Sequence, residues 1–118
     1  MDSGRAIYLS GPMTGLPDHN FPAFHEAQER WEALCWWVLN PARNFNGETG
    51  LPRREYMRLD YQHVMTADAI ALLPGWQGSA GSLAELSMAQ ELELEIFDAA
   101  TGLPYKAGVQ HIGTVELG

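Results

Sequence analysis

One stretch limits the folds open to this chain: residues 68–89, "DAIALLPGWQGSAGSLAELSMA". Asp68 is followed by five apolar residues, and Pro74 and Gly75 end the run. A continuous apolar run of that length, bounded by turn residues, fits a strand buried on both faces. Proline stops it because it lacks the N–H a ladder needs, and glycine admits dihedrals other residues avoid. Residues 76–81 are small and polar apart from Trp76, and Leu83, Leu86 and Leu92 then recur at roughly helical spacing. Strand, glycine-rich loop and helix in that order make a βα unit. In an open α/β sheet, ligands bind in the crevice outside the strands' carboxyl ends. Glu85 falls in the first turns of the helix, beside that crevice, and is the first acid to consider for function.

The rest of the chain repeats the pattern. Residues 5–10, "RAIYLS", read as a first strand, and a loop with two glycines and three prolines follows over 11–22. That loop carries His19, Asn20 and Phe21; Asn20 or a neighbour caps the next helix, with Pro22 in its first turn. Phe21, Phe24, Gln28, Trp31, Leu34 and Cys35 form an apolar stripe of about 3.6-residue period. Residues 36–40, "WWVLN", read as a second strand stopped by Pro41. Trp36 and Trp37, being adjacent, point to opposite faces, which offers one of them to an interface. After a loop over 41–52 comes a helix over about 53–67, with Tyr56, Leu59, His63, Val64 and Ala67 inward. Residues 79–93 form the third helix and 94–98 a fourth strand. The order β-α-β-α-β-α-β predicts an α/β, Rossmann-like (flavodoxin-like) three-layer domain, with a parallel sheet of four to five strands and right-handed crossovers. The tail from residue 99 is open to an edge strand, a hairpin or partial mobility.

A length of 118 residues with 46% apolar content suits one domain, 1–118, with one core. No run of about 18 apolar residues predicts a membrane span, and the N-terminus lacks the pattern of a signal peptide. A single cysteine, Cys35, excludes an intramolecular disulfide and a cysteine-rich zinc site, and its place in a helical stripe reads as a core thiol. A cytoplasmic protein is the resulting expectation. The formal net charge of −8 argues against a nucleic-acid polymer as partner, since that needs clustered Lys and Arg. Arg43, Arg53, Arg54 and Arg58 gather in one region, as a solvated helix start or a patch with charge for one phosphate. The four histidines show no metal-ligand spacing, so no metal is expected, and no cofactor.

Candidate chemistry lies at the strands' ends. "SGPMTG", residues 10–15, follows the first strand; amides of glycine-rich turns hold anions, but it is neither a dinucleotide fingerprint nor a Walker loop. Asp60, on the second helix, stands about 12 Å above Asp68 at 1.5 Å per residue, towards the crevice; alone it reads more readily as a solvated helical residue. Asp68, at the far end of its strand, reads as structural. Tyr8 alternates with Ile7 and Leu9, so core packing is its plain reading, though a buried hydroxyl needs a partner. Trp76, on a glycine-flanked loop, offers a stacking surface for a base.

The motifs "SGPMTGLPDHNFPAF" and "ALLPGWQGSAGSLAELSMA" together resemble the nucleoside 2-deoxyribosyltransferase superfamily, which includes hydrolases of deoxynucleoside 5'-monophosphates and small relatives common in phages and prophages. The resemblance covers residues 6–98. It implies that Glu85 attacks the anomeric carbon of a sugar, that Tyr8 orients it, and that Asp60, eight residues before Asp68, contacts the base or acts as acid. Six residues before the glutamate, the transferases carry an aspartate and the monophosphate hydrolases a phosphate-binding serine; this chain has Ser79. Where those hydrolases carry an arginine followed by paired glycines, this chain has Met13, Thr14 and Gly15. Thr14 lacks the charge and fork of arginine, leaving Arg43 or Arg54 to supply it from elsewhere.

The expected function is therefore hydrolysis of the base–sugar bond of a (deoxy)ribonucleoside 5'-monophosphate, with Glu85, Asp60 and Tyr8 catalytic. Ser10, Gly11, Pro12, Met13, Thr14, Gly15, Asn20, Phe21, Gly75, Trp76, Ser79 and Gly81 are expected around the substrate. Deoxyribosyl transfer is the alternative, and a non-catalytic nucleotide-binding or sequestering module is the alternative of another class. The expected partners are a small nucleotide or nucleoside and further copies of the chain, as a homodimer or higher oligomer.

Overall fold

The sheet alternates with helices as the sequence predicts. The computed structural model describes residues 4–105. It has strands β1 (Ala6–Ser10), β2 (Trp37–Leu39), β3 (Ala69–Leu72) and β4 (Glu95–Asp98), and helices α1 (Phe21–Ala33), α2 (Arg53–Thr66) and α3 (Ala80–Glu91). All three strand pairings are parallel, in the order β2-β1-β3-β4. The chain steps outward from β1 to β2, then crosses back over β1 to β3. That reversal puts a topological switch point between the carboxyl ends of β1 and β3, where open α/β sheets place their ligands.

Alternation along the strands sorts side chains into two cores. Ile7 and Leu9 of β1, with Ala69 and Ala71 of β3, pack under Phe24, Ala27 and Trp31 of α1. Tyr8 of β1, with Ile70 and Leu72 of β3, packs under Val64 of α2 and Leu86 and Ala89 of α3. Both faces of the central strands are therefore dry, which is why β3 carries no polar residue. Each fully buried Leu, Ile or Phe contributes about 1.5–3 kcal/mol. Trp31 anchors the first core: its ring lies 5.4 Å from Phe97 and 5.9 Å from Trp36, and its indole N–H donates to the Ala99 carbonyl at 3.1 Å.

Three apolar assignments differ from the expectation. Leu34 and Leu92 are exposed, because each is the residue that ends its helix and the chain is already turning away. The buried face of α3 is instead Ser82, Glu85, Leu86 and Ala89, a regular helical stripe that includes two polar residues. Cys35 is half-buried in the turn after α1, with a left-handed φ of 72°, and is not part of either core. Of the two adjacent tryptophans, Trp36 packs inward and Trp37 is exposed. Residues 99–105 fold back along β4, with Pro104 bridged antiparallel to Phe97; the rest of the tail lies outside the described residues. Among the described residues, no helix is long and apolar enough to cross a membrane.

The amino ends of the strands are tied by polar contacts. The amide of Ala6 donates to Asp68 Oδ2 at 2.8 Å, and Arg5 pairs with Glu95 while its guanidinium stacks 4.7 Å over the ring of Trp36.

Candidate active site

At the opposite rim the chain turns tightly. Gly11 follows β1, and a Cβ there would lie 2.7 Å from Cβ of Leu73, so only glycine fits. Gly75 has φ of 90°, which allows the turn after β3. Asp18, His19 and Asn20 are consecutive non-glycine residues with φ of 52°, 52° and 60°, a left-handed turn that is strained for side-chain-bearing residues. Asn20 occupies the N-cap of α1, but its side chain makes no capping bond; its Nδ2 donates instead to the Pro12 carbonyl at 2.9 Å and pins the loop. A second left-handed run, Phe45, Asn46 and Gly47, follows β2.

Two acids meet between these loops. Ser79 caps α3, its Oγ accepting from the amide of Ser82 at 3.2 Å. The helix so begun aims Glu85 at β1, where it is 8% exposed. Tyr8 and Ser10 stand two residues apart on β1 and so share a face. The Tyr8 hydroxyl donates to Glu85 Oε2 at 2.9 Å and the Ser10 hydroxyl to Oε1 at 2.6 Å. From α2, Asp60 accepts at Oδ1 from Asn44 Nδ2 at 2.8 Å, and its carboxyl lies beside the Tyr8 hydroxyl.

Burial dominates the electrostatics. It pushes the Glu85 carboxyl up to about 7, opposed by the Ser10 hydrogen bond and reinforced by the charge of Asp60. Burial likewise lifts Asp60 to about 6, against the Asn44 hydrogen bond and the Tyr8 hydroxyl. The Tyr8 phenol is raised above its ordinary range by burial and then by the two carboxylates. A phenol has one proton. Its donation to Glu85 favours the ionised form of that acid. The raised values, about 6 for Asp60 and about 7 for Glu85, leave the pair holding a single proton near neutral pH, carried more by Glu85 than by Asp60.

Both acids line one cavity of about 690 Å³. Of the residues expected around a substrate, Gly11, Pro12, Met13, Thr14, Gly15, Phe21, Ser79 and Gly81 also line it. Ser10, Asn20, Gly75 and Trp76 do not. Ser10 lies behind Glu85, Asn20 is spent on the Pro12 carbonyl, and Gly75 backs against Pro12. Trp76 is not a loop-borne stacking surface. It is 8% exposed, packs in the core beside Tyr8 and Leu86, and its indole N–H donates to the Tyr105 hydroxyl at 3.3 Å. The aromatic wall is made by Phe21, Tyr56 and Tyr61 instead. The guanidinium at the cavity is Arg53, not Arg43 or Arg54: Arg43 donates to Gln28 Oε1 at 2.7 Å, away from it. Arg53 opens α2 directly after a loop at the crevice rim, and that position was the available signal for it. Asn44, inside a loop of ordinary composition, gave none. Among the described residues, no three His, Cys, Asp or Glu side chains gather as metal ligands.

The fold is shared with enzymes of known structure. The 2-deoxyribosyltransferase of Bacillus psychrosaccharolyticus superposes with a TM-score of 0.62 at 20% identity, covering 77% of this chain and 69% of that one. The 2-desoxiribosyltransferase of Leishmania mexicana gives 0.62 at 18%, covering 89% and 81%. At such identities the likeness is one of fold. No curated protein matches in sequence. A family profile does match, over residues 5–98, and the chain therefore belongs to the family described as a domain of unknown function, DUF4406.

Proposed function

We propose that the protein breaks the N-glycosidic bond of a nucleoside-type substrate, with Glu85 as nucleophile. The observation that carries this reading is a buried carboxylate gripped on both oxygens, with a second, high-pKa carboxyl on the same cavity wall. Carboxyl pairs are the usual machinery of glycosidic chemistry, and covalent catalysis divides one hard displacement into two. Glu85, ionised, attacks C1'; the C1'–N bond breaks and its electron pair leaves with the base. The reactive form is the one in which the pair's proton has passed from Glu85 to Asp60, and from Asp60 it goes to the departing base nitrogen. A glycosyl ester of Glu85 remains. An incoming base or water, giving its proton to Asp60, attacks C1' and frees Glu85.

Transfer to a second base is favoured over hydrolysis by the likeness to two 2-deoxyribosyltransferases. An unphosphorylated nucleoside is favoured by the cavity's lining, where among the described residues the carboxyl groups of Asp60, Glu85 and Glu48 stand against one guanidinium, that of Arg53. The second reading is a 5'-monophosphate, favoured by Ser79 and Gly81 on the cavity wall at the amino end of α3, where a helix dipole and free amides attract anions.

The test is incubation of the purified protein with a panel of nucleosides and 5'-monophosphates, with and without a free acceptor base, followed by chromatography. A new nucleoside formed only with acceptor is the expected result, abolished in Glu85→Ala. Free base released from monophosphates alone, without acceptor, replaces the first reading by the second. Tight calorimetric binding without product assigns the chain to the non-catalytic class.

A further inference from the structure

We propose that Ser10 is a positioning residue that locks the attacking carboxylate, a role that rests on the reading of Glu85 as nucleophile. Its hydroxyl holds Oε1 of Glu85 at 2.6 Å, while Tyr8 holds Oε2 at 2.9 Å. A carboxylate tied at one oxygen still turns about its last side-chain bond; tied at both, it presents one plane to the cavity. Attack on a saturated carbon needs a lone pair on a narrow line, so a fixed plane removes an orientational cost from the barrier.

Both donors come from the same strand, two residues apart, and neither depends on a loop. Ser10 is 1% exposed and absent from the cavity wall, so it acts through Glu85 and not on the substrate. Its backbone is committed to the sheet, paired with Leu72 and accepting from the amide of Leu73 at 2.8 Å. The side chain is therefore free to serve the carboxylate alone. The groups facing Glu85 are Tyr8 and Ser10 from β1 and Asp60 from α2; His19, Glu48, Arg53, Tyr56 and Tyr61 stand further along the wall. Of the influences that favour the ionised carboxylate, the Ser10 hydrogen bond is larger than that of Tyr8.

The experiment follows the Glu85 carboxyl by carbon-13 NMR titration of the free protein, in the wild type and in Ser10→Ala, Ser10→Cys and Ser10→Thr. Loss of a hydrogen bond to the charged form raises a carboxyl pKa. Ser10→Ala and Ser10→Cys are expected to raise Glu85 by about one unit, cutting its ionised fraction below the pKa by about tenfold. Ser10→Thr, which keeps the hydroxyl, is expected to restore the wild-type titration. With substrate, kcat falls in the first two variants while KM changes little. Cysteine keeps the shape of serine with a larger terminal atom and donates weakly, so Ser10→Cys supplies the second measurement if Ser10→Ala fails to fold. An unchanged Glu85 titration in Ser10→Cys overturns the proposal. The titration needs no substrate. An unmoved titration with turnover that still requires Glu85 thus overturns the role of Ser10 alone, whereas turnover that survives Glu85→Ala overturns the nucleophile.

Discussion

Glu85 and Asp60 sit in a medium that disfavours their charge, and this sets the sign of their effect on stability. Their folded values, about 7 and about 6, lie above those of an ordinary carboxyl. Between the ordinary and raised values the folded chain binds more protons than the unfolded one. Their contribution is therefore complete below the ordinary carboxylate range and is lost as pH rises through about 6 and about 7. Glu85→Gln removes the charge without removing the side chain. At pH 8 that variant is expected to be more stable than the wild type by about 1–3 kcal/mol, and the gap is expected to close by about pH 4. Thermal unfolding at several pH values measures this; a variant no more stable at pH 8 contradicts it. Because the two acids share Tyr8, their titrations belong to the pair more than to either residue.

Among the elements, the junction of β1 with its loop is the least forgiving. A methyl group on Gly11 would meet Cβ of Leu73 at 2.7 Å, and Leu73 is itself buried. Gly11→Ala is expected to cost about 1–3 kcal/mol through overpacking, read as a lower urea midpoint. No loss of stability would show that the loop can move off β3. These elements were largely legible in the sequence. Apolar runs closed by proline and glycine marked β1 and β3, and the stripe from Phe21 through Phe24, Gln28 and Trp31 marked α1, although the buried face also takes in Ala27, which that stripe left out. Helix ends were less legible: periodicity carried Leu34 and Leu92 inward, whereas termination turned them out. Glu85 was marked by its place in the first turns of a helix beside the crevice and Asp60 by its height above Asp68; alone, each passes for a solvated helical acid, and the family resemblance is what attached roles to them. Trp76 misled because glycines flank it, although tertiary packing draws it into the core. The second grip of Ser10 on Glu85 depends on a contact 75 residues away along the chain, which no local pattern announces.

At the scale of the molecule, parallel pairing separates two kinds of work. All four strands deliver their carboxyl ends to one rim, where the cavity opens, and their amino ends to the other, where Asp68 holds the Ala6 amide. Asp68→Ala is expected to lower stability by about 0.5–1.5 kcal/mol while leaving kcat and KM for base release unchanged. A loss of activity at full stability would mean that the two rims communicate. The polarity of the sheet also bears on handling the protein. The chain enters the described structure at Gly4 and runs straight into β1 from the amino rim. A fusion or surface tether placed ahead of that point hangs from the floor of the molecule, and the mouth above stays clear for whatever diffuses in.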